Sequence, residues 1–486
     1  MTGSLAALLV PELRWEPGQG FAGHRAAIDA ALEIGVGGFV VCGGPVAEVA
    51  ELTAVLHASS RIPLLIGAEA EQGAGECFAG ATGLPPLGAL AALRDDDVVR
   101  RAARLTAREL RALGVTWAIA PSADLDLGLA NPMLGARSFG AEPQRVAEWT
   151  VAWTDACQAE GVLACAKHFP GIGRATADPH RGAVSVDEGG AQLWSADLVP
   201  FRAAVDAGVA TLLVAQVSYP RLDASGALAT RSPLLLRELL RGELQYEGLL
   251  VSDRPSQPGA LVGDDEGAAT LEAVVAGCDL VLAPMDLAGA LAAFDRGLDE
   301  GRLVPSRLED SLRRRTFWAE WGRPQGGREA TLEDVLWARQ VADTVVHPVR
   351  GVIPNIGPVV DVIPVDDDAD AAGPSGADRF GAFFAALRAV GMTPERVEGP
   401  TDAGRGAVVV AVRGAPASGR GRAGYREATR HRVARAVADA RAARRSIAVV
   451  VFGPPRLADE LPEASNVICA WSAARAMQEA AARRLA

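Results

Sequence analysis

Asp178-Pro179-His180 places a carboxylate and an imidazole two residues apart, with a backbone-restricting proline between them. In an extended or turn segment such a carboxylate can take the ring N–H. That fixes the tautomer and raises the basicity of the other ring nitrogen. A histidine tuned near neutral pH is a suitable general acid/base. The pair ends the stretch AKHFPGIGRATADPH (166–180), which also holds Lys167 and His168. Lys167 is the single lysine among 48 cationic side chains. An ammonium is compact where a guanidinium is planar and forked, so position 167 reads as one that tolerates only the former. The bland alternative is an accidental survivor in an arginine-rich chain. His168, Asp178 and His180 could also be three zinc ligands. The neighbouring lysine argues against a dication, so neither metal nor cofactor is expected.

These residues need elements to hold them. Eight short apolar runs punctuate the first two thirds of the chain: 6–10, 37–43, 63–69, 116–122, 162–168, 210–216, 248–253 and 279–284. Continuous apolar runs of this length fit strands buried on both faces of a parallel sheet. Amphipathic helical patterns lie between them, as at 97–114 and 147–161. Alternation of this kind means α/β, and eight units in this length fit a (β/α)8 TIM-like barrel. In such a barrel chemistry sits at the carboxyl ends of strands. Glu69 ends the third run, Lys167 and His168 the fifth, Gln216 the sixth, and Ser252 and Asp253 the seventh. Any one of them could merely cap its strand; the set together is harder to explain by packing.

The polar, glycine-rich stretch 321–331 breaks the pattern. The expected division is a catalytic barrel over 1–322, a linker and connecting helix over 323–345, and a smaller α/β sandwich domain over 346–486. Its strand candidates are 357–365, 406–414, 446–453 and 466–472. The Gly/Arg-rich segment 414–430 reads as an exposed, mobile loop.

Composition narrows the partners. A net charge of -12 argues against nucleic acid, which needs a basic surface. No apolar run is long enough to span a bilayer, and the amino-terminal stretch lacks a basic, long-apolar secretory leader. The six cysteines form no CxxC pair, so free thiols and a cytoplasmic location are expected.

KHFPGIGRATADPH resembles the KHFPGHG…DSH signature of bacterial β-N-acetylglucosaminidases in glycoside hydrolase family 3. GAEAEQGAG (67–75), APSADLDLGLANPMLGARSFG (120–140), LLVSDRP (249–255) and AGCDLVLAP (276–284) resemble further segments of that family, in order. The resemblance covers roughly residues 1–320 and is weaker beyond. It implies a retaining mechanism on a carbohydrate substrate, in the setting of cell-wall turnover. Asp253 would be the nucleophile, and His180, oriented by Asp178, the acid/base. Lys167, His168, Arg137 and Glu69 would bind the sugar, with Phe139 or another aromatic stacking on it. The sequence departs from the family at Ile172, Gln72, Arg254 and Gln216, and Glu69 stands where aspartate is usual. Two other readings stand beside exo-hydrolysis. A neutral histidine would not repel phosphate, so the chain could be a β-glycoside phosphorylase. The altered sugar shell could also mark a non-catalytic, sugar-binding barrel.

Overall fold

The computed structural model describes residues 5–128, 130–261, 265–323, 329–368, 378–399 and 406–486. They form two compact units. The first comprises 1–82, 95–127 and 138–331; the second comprises 83–94, 128–137 and 332–486.

Each of the eight apolar runs carries a strand of the first unit. The first run ends in β1 (Leu9–Val10), and beyond Pro11, which has no N–H for the ladder, the chain adds β2 (Glu12–Arg14). The others are β3 (Gly38–Cys42), β4 (Leu65–Ala68), β5 (Trp117–Ala118), β6 (Cys165–Phe169), β7 (Thr211–Val214), β8 (Leu249–Ser252) and β9 (Leu280–Leu282). Hydrogen bonding runs β1-β9-β8-β7-β6 and β2-β3-β4-β5, all parallel. Parallel bridges Trp117–Leu163 and Ser122–Lys167 join β5 to β6. β1 and β2 close the other side, giving the expected barrel. Val10, Val40, Leu65, Ile119, Leu213, Val251 and Leu280 fill its interior. Trp117 is wholly buried there, and its indole N–H donates to Thr211 Oγ1 at 2.9 Å. A buried indole needs such a partner.

The helices follow local rules. The 97–114 pattern folds as Asp96–Ala112, capped by Asp95, whose carboxylate accepts from the Asp97 N–H at 2.9 Å. The 147–161 pattern folds as Pro143–Ala159, with proline at its first position, where no N–H is needed.

The second unit is a six-stranded sheet: β10 (His347–Arg350), β11 (Val359–Asp366), β12 (Thr393–Arg396), β13 (Ala407–Arg413), β14 (Ile447–Phe452) and β15 (Val467–Cys469). The order is β10-β15-β14-β13-β11-β12, with only the β10–β15 pairing antiparallel. Alternate residues enter separate cores. Val409, Ala411, Val450 and Phe452 pack with helices Gly381–Ala389 and Arg475–Leu485. Val408, Val410, Val449 and Val451 pack with helix Glu427–Ala442. This is the expected α/β sandwich. The edge strands β10 and β12 were not anticipated, because HPVR and TPER carry no apolar run.

Two details differ from the sequence reading. Helix Leu332–Val345, placed in a linker, packs its Ala342 and Val345 into the second unit's core. Segments 83–94 and 128–137 also belong to that unit, contributing Ala89 and Ala136. The 414–430 segment is pinned rather than loose. Arg420 pairs with Asp367 and Asp368, as does Arg422, and the Ala417 N–H donates to the Pro132 carbonyl. Its arginines are consumed as internal counter-charges.

Candidate active site

Lys167 lies in the middle of β6 with only 1% of its side chain exposed. Its ammonium lies 2.7 Å from Glu71 Oε1 and 3.9 Å from Glu69 Oε2. Glu71 is itself buried. A buried ammonium with a directly bonded carboxylate explains why lysine stands here. At that burial an amine reagent cannot reach it in the folded chain.

His168 follows. Asp124, wholly buried after β5, receives the His168 ring Nδ1–H at 2.7 Å, the His168 backbone N–H at 3.1 Å and the Ile172 N–H at 2.8 Å. One carboxylate thus folds the whole KHFPGI turn and leaves Nε2 as the outward-facing nitrogen of His168. Ile172 is buried and tied through its backbone, so that departure from the family pattern falls on a structural position.

The long segment after β6 carries Asp178 and His180. It is anchored by Tyr219 Oη to the Gly171 carbonyl at 2.8 Å, and by Arg174 to Asp197 and Glu188, both at 2.8 Å. Asp178 Oδ1 lies 2.7 Å from His180 Nδ1 and accepts from the His180 N–H at 2.9 Å. The carboxylate is buried while the ring is about a third exposed. This is the pairing read from Asp-Pro-His.

Asp253 follows β8 and is 8% exposed. Its Oδ1 accepts from the Arg254 N–H at 2.7 Å. Gln216, at the end of β7, donates to the Asp253 carbonyl at 3.0 Å and accepts from Thr230 Oγ1 at 2.7 Å. Gln216 therefore sets the backbone at Asp253. Arg254 bridges Glu12 on β2 and Glu69 after β4, the latter at 3.2 Å. Burial disfavours the Arg254 charge, but Glu12, Glu69 and Asp253 outweigh it and hold its pKa above the ordinary arginine value. Burial likewise pushes Glu12 up, and Arg254 and Arg14 reverse that, leaving its carboxyl below the usual range. The positive charge beside Asp253 is thus already spent on two carboxylates.

Of the residues singled out in the sequence, Glu69 and Asp253 directly follow β4 and β8, Lys167 and His168 lie within β6, and Asp178 and His180 sit on the segment after it, all in the first unit. Arg137 lies in the second unit, where it donates to Ser418 Oγ at 3.2 Å. Phe139 is buried against Trp149, with ring centroids 6.0 Å apart, and is not free to stack on a sugar. Glu71, Asp124, Glu12 and Gln257 were missed. Glu71 and Asp124 sit inside the segments that carried the resemblance, but spacing alone did not reveal what they hold.

The six cysteines are free. Burial pushes Cys42 up to about 12 and Cys165 to about 11, so neither thiol is poised as a nucleophile. Among the described residues no three metal-ligating side chains are gathered into one site, and no helix is long and apolar enough to cross a membrane.

The first unit is a parallel α/β barrel with carboxylates and imidazoles on the segments that follow its strands. Residues 36–316 match the Glycosyl hydrolase family 3 N terminal domain, and the chain belongs to that family. A β-N-acetylglucosaminidase/β-glucosidase of Cellulomonas fimi is 35% identical over 289 residues, 57% of this chain and 51% of that protein. A β-hexosaminidase of Thiobacillus denitrificans is 38% identical over 244 residues, 49% of this chain and 67% of that one. The chain thus matches about half the length of the first and two thirds of the second. A family 3 β-N-acetylglucosaminidase structure from Paenibacillus sp. str. FPU-7 superposes with a TM-score of 0.84. It covers 100% of this chain and 96% of that one at 24% identity, a likeness of fold.

Proposed function

We propose that the chain is a retaining exo-β-N-acetylhexosaminidase, with Asp253 as nucleophile and the Asp178–His180 pair as acid/base. The observation that carries this is the 2.7 Å pairing of His180 Nδ1 with a fully buried carboxylate, which fixes the tautomer and assigns proton transfer to Nε2. Asp253 attacks the anomeric carbon as the glycosidic C–O bond breaks, and His180 Nε2–H delivers its proton to the leaving oxygen. Water then attacks the glycosyl ester, giving its proton to Nε2 and freeing Asp253. Retaining glycosidases ordinarily use two carboxylates for these steps; a histidine does the second job here. His168 Nε2 and Glu69 face the sugar in this reading, and Lys167, buried beside Glu71, backs Glu69 at 3.9 Å. The setting is cytoplasmic, supported by the unpaired cysteines.

Hydrolysis is favoured over phosphorolysis because Arg254, the cation that could attract phosphate, is shared between Glu12 and Glu69. Millimolar phosphate should leave the product as free sugar; sugar 1-phosphate would reverse this preference. The acid/base assignment is tested by leaving group. His180→Ala should lower kcat/KM on aryl N-acetyl-β-glucosaminides with poor leaving groups by about 10²–10⁴-fold, and far less on activated ones. An equal loss on both would remove His180 as the acid.

A further inference from the structure

The segment that carries His180 is docked on the segment that carries Asp253. The Gly259 N–H donates to the Pro179 carbonyl at 2.9 Å. A Cβ at Gly259 would meet the Gly182 and Pro179 carbonyl oxygens, each at 2.7 Å, so the two backbones touch. At the centre of this join is Gln257, 4% exposed, with its amide Nε2 3.3 Å from His180 Nε2.

The chemistry of that contact is specific. Asp178 takes the proton on Nδ1, so in the neutral ring Nε2 bears only a lone pair. The Gln257 amide nitrogen donates to it. The other amide atom, Gln257 Oε1, is buried without a hydrogen-bond partner among the described residues. A buried carbonyl left unpaired forfeits its hydration without replacement, and such an atom in a folded protein calls for a reason. One is available: a half-turn of the amide puts Oε1 where the nitrogen was, able to accept from a protonated Nε2–H. An amide is the one neutral side-chain group of this shape that can bond the same ring nitrogen in both protonation states.

We propose that Gln257 is a positioning residue for His180. Its amide holds the imidazole in one orientation, as donor when the ring is the base and, turned over, as acceptor when the ring is the acid. It yields Nε2 to the substrate oxygen or to water at each proton transfer. This rests on the acid/base reading of His180 given above.

The test uses the full chain and two aryl N-acetyl-β-glucosaminides, one with a poor and one with a good leaving group. Gln257→Met keeps the length and removes both polar atoms. It should lower kcat/KM about tenfold on the poor leaving group and less than about threefold on the good one. Gln257→Glu keeps an acceptor for the acid form and should restore the poor leaving group to within about threefold of the parent. It lacks the N–H for the base form, so it should lower kcat on the activated substrate, where the second step limits. Equal losses on both substrates for Gln257→Met, or none, would mean that Gln257 only fastens the segment. If Gln257→Met does not fold, an unchanged kcat for Gln257→Glu on the activated substrate overturns the proposal by itself. His180→Ala is run alongside. If it shows no leaving-group dependence, the acid assignment has failed; if it does and the Gln257 variants do not, only this inference falls.

Discussion

Glu69 and Glu71 both approach the Lys167 ammonium, but burial separates what they do. Glu71 is closed off with Lys167, whereas the Glu69 side chain is 42% exposed. Breaking a buried ion pair strands the remaining charge, at about 3–5 kcal/mol. Exposed pairs are worth about 0–1 kcal/mol. Glu71→Gln should therefore shift the urea midpoint strongly. Glu69→Gln should leave it nearly unchanged and instead alter the relative rates on sugars differing at O4 or O6. Equal unfolding midpoints for the two variants would contradict this division. By the same burial, a wider guanidinium at 167 would overpack the closed site beside Glu71, at about 1–3 kcal/mol.

Elements matter where they bring two segments together. Gly259 has no Cβ where two carbonyl oxygens would stand 2.7 Å away. Gly259→Ala must push the His180 segment off the Asp253 segment. We expect kcat/KM on poor leaving groups to fall about tenfold, roughly 1.4 kcal/mol, with far-UV circular dichroism unchanged. Full activity would show that the contact is incidental. At the other end of the barrel, His57 on helix Val46–Ser59 bonds the Gly114 carbonyl at 2.9 Å. Burial holds its imidazole below the ordinary histidine value, against the hydrogen bond to Gly114, which raises it. A depressed pKa means that folding favours the neutral ring. The contribution is complete above the ordinary histidine pKa, about 6.5, and is lost as pH falls through the folded value. His57→Gln should make the fall in Tm between pH 7 and pH 5 shallower than in the parent; parallel curves would rule this out.

Across the whole molecule, the chain does not divide at a single point. The second unit draws 83–94 and 128–137 out of the barrel sequence and buries Leu87, Ala89 and Leu90 of helix Leu87–Ala92. A chain ended at Thr331 would leave those apolar residues without the core that Ala89 shares with Ala342, Phe383 and Met477. Exposed apolar surface of that kind favours association. The shortened chain should therefore aggregate or melt at lower temperature than the full one. A monomeric product with an unchanged barrel transition would show that the two segments are dispensable.

Periodicity and end-of-run chemistry alone determined the barrel, the sandwich strands with apolar runs, and the placing of Glu69, Lys167, His168 and Asp253 on or just after their strands. Both signals are local, so a linear reading captures them. Asp178–His180 was legible because its two members are neighbours in the chain. Contacts between distant segments were not legible. Glu71 with Lys167, Asp124 with His168, Arg254 with Glu12 and Glu69, and Gln257 with His180 each join different strands or the segments that follow them, and closing the barrel is what makes them neighbours. The edge strands β10 and β12 and the pinned 414–430 segment escaped for the same reason. Their order comes from backbone pairing and from counter-charges supplied by other elements, and neither leaves a periodic trace in the residues themselves.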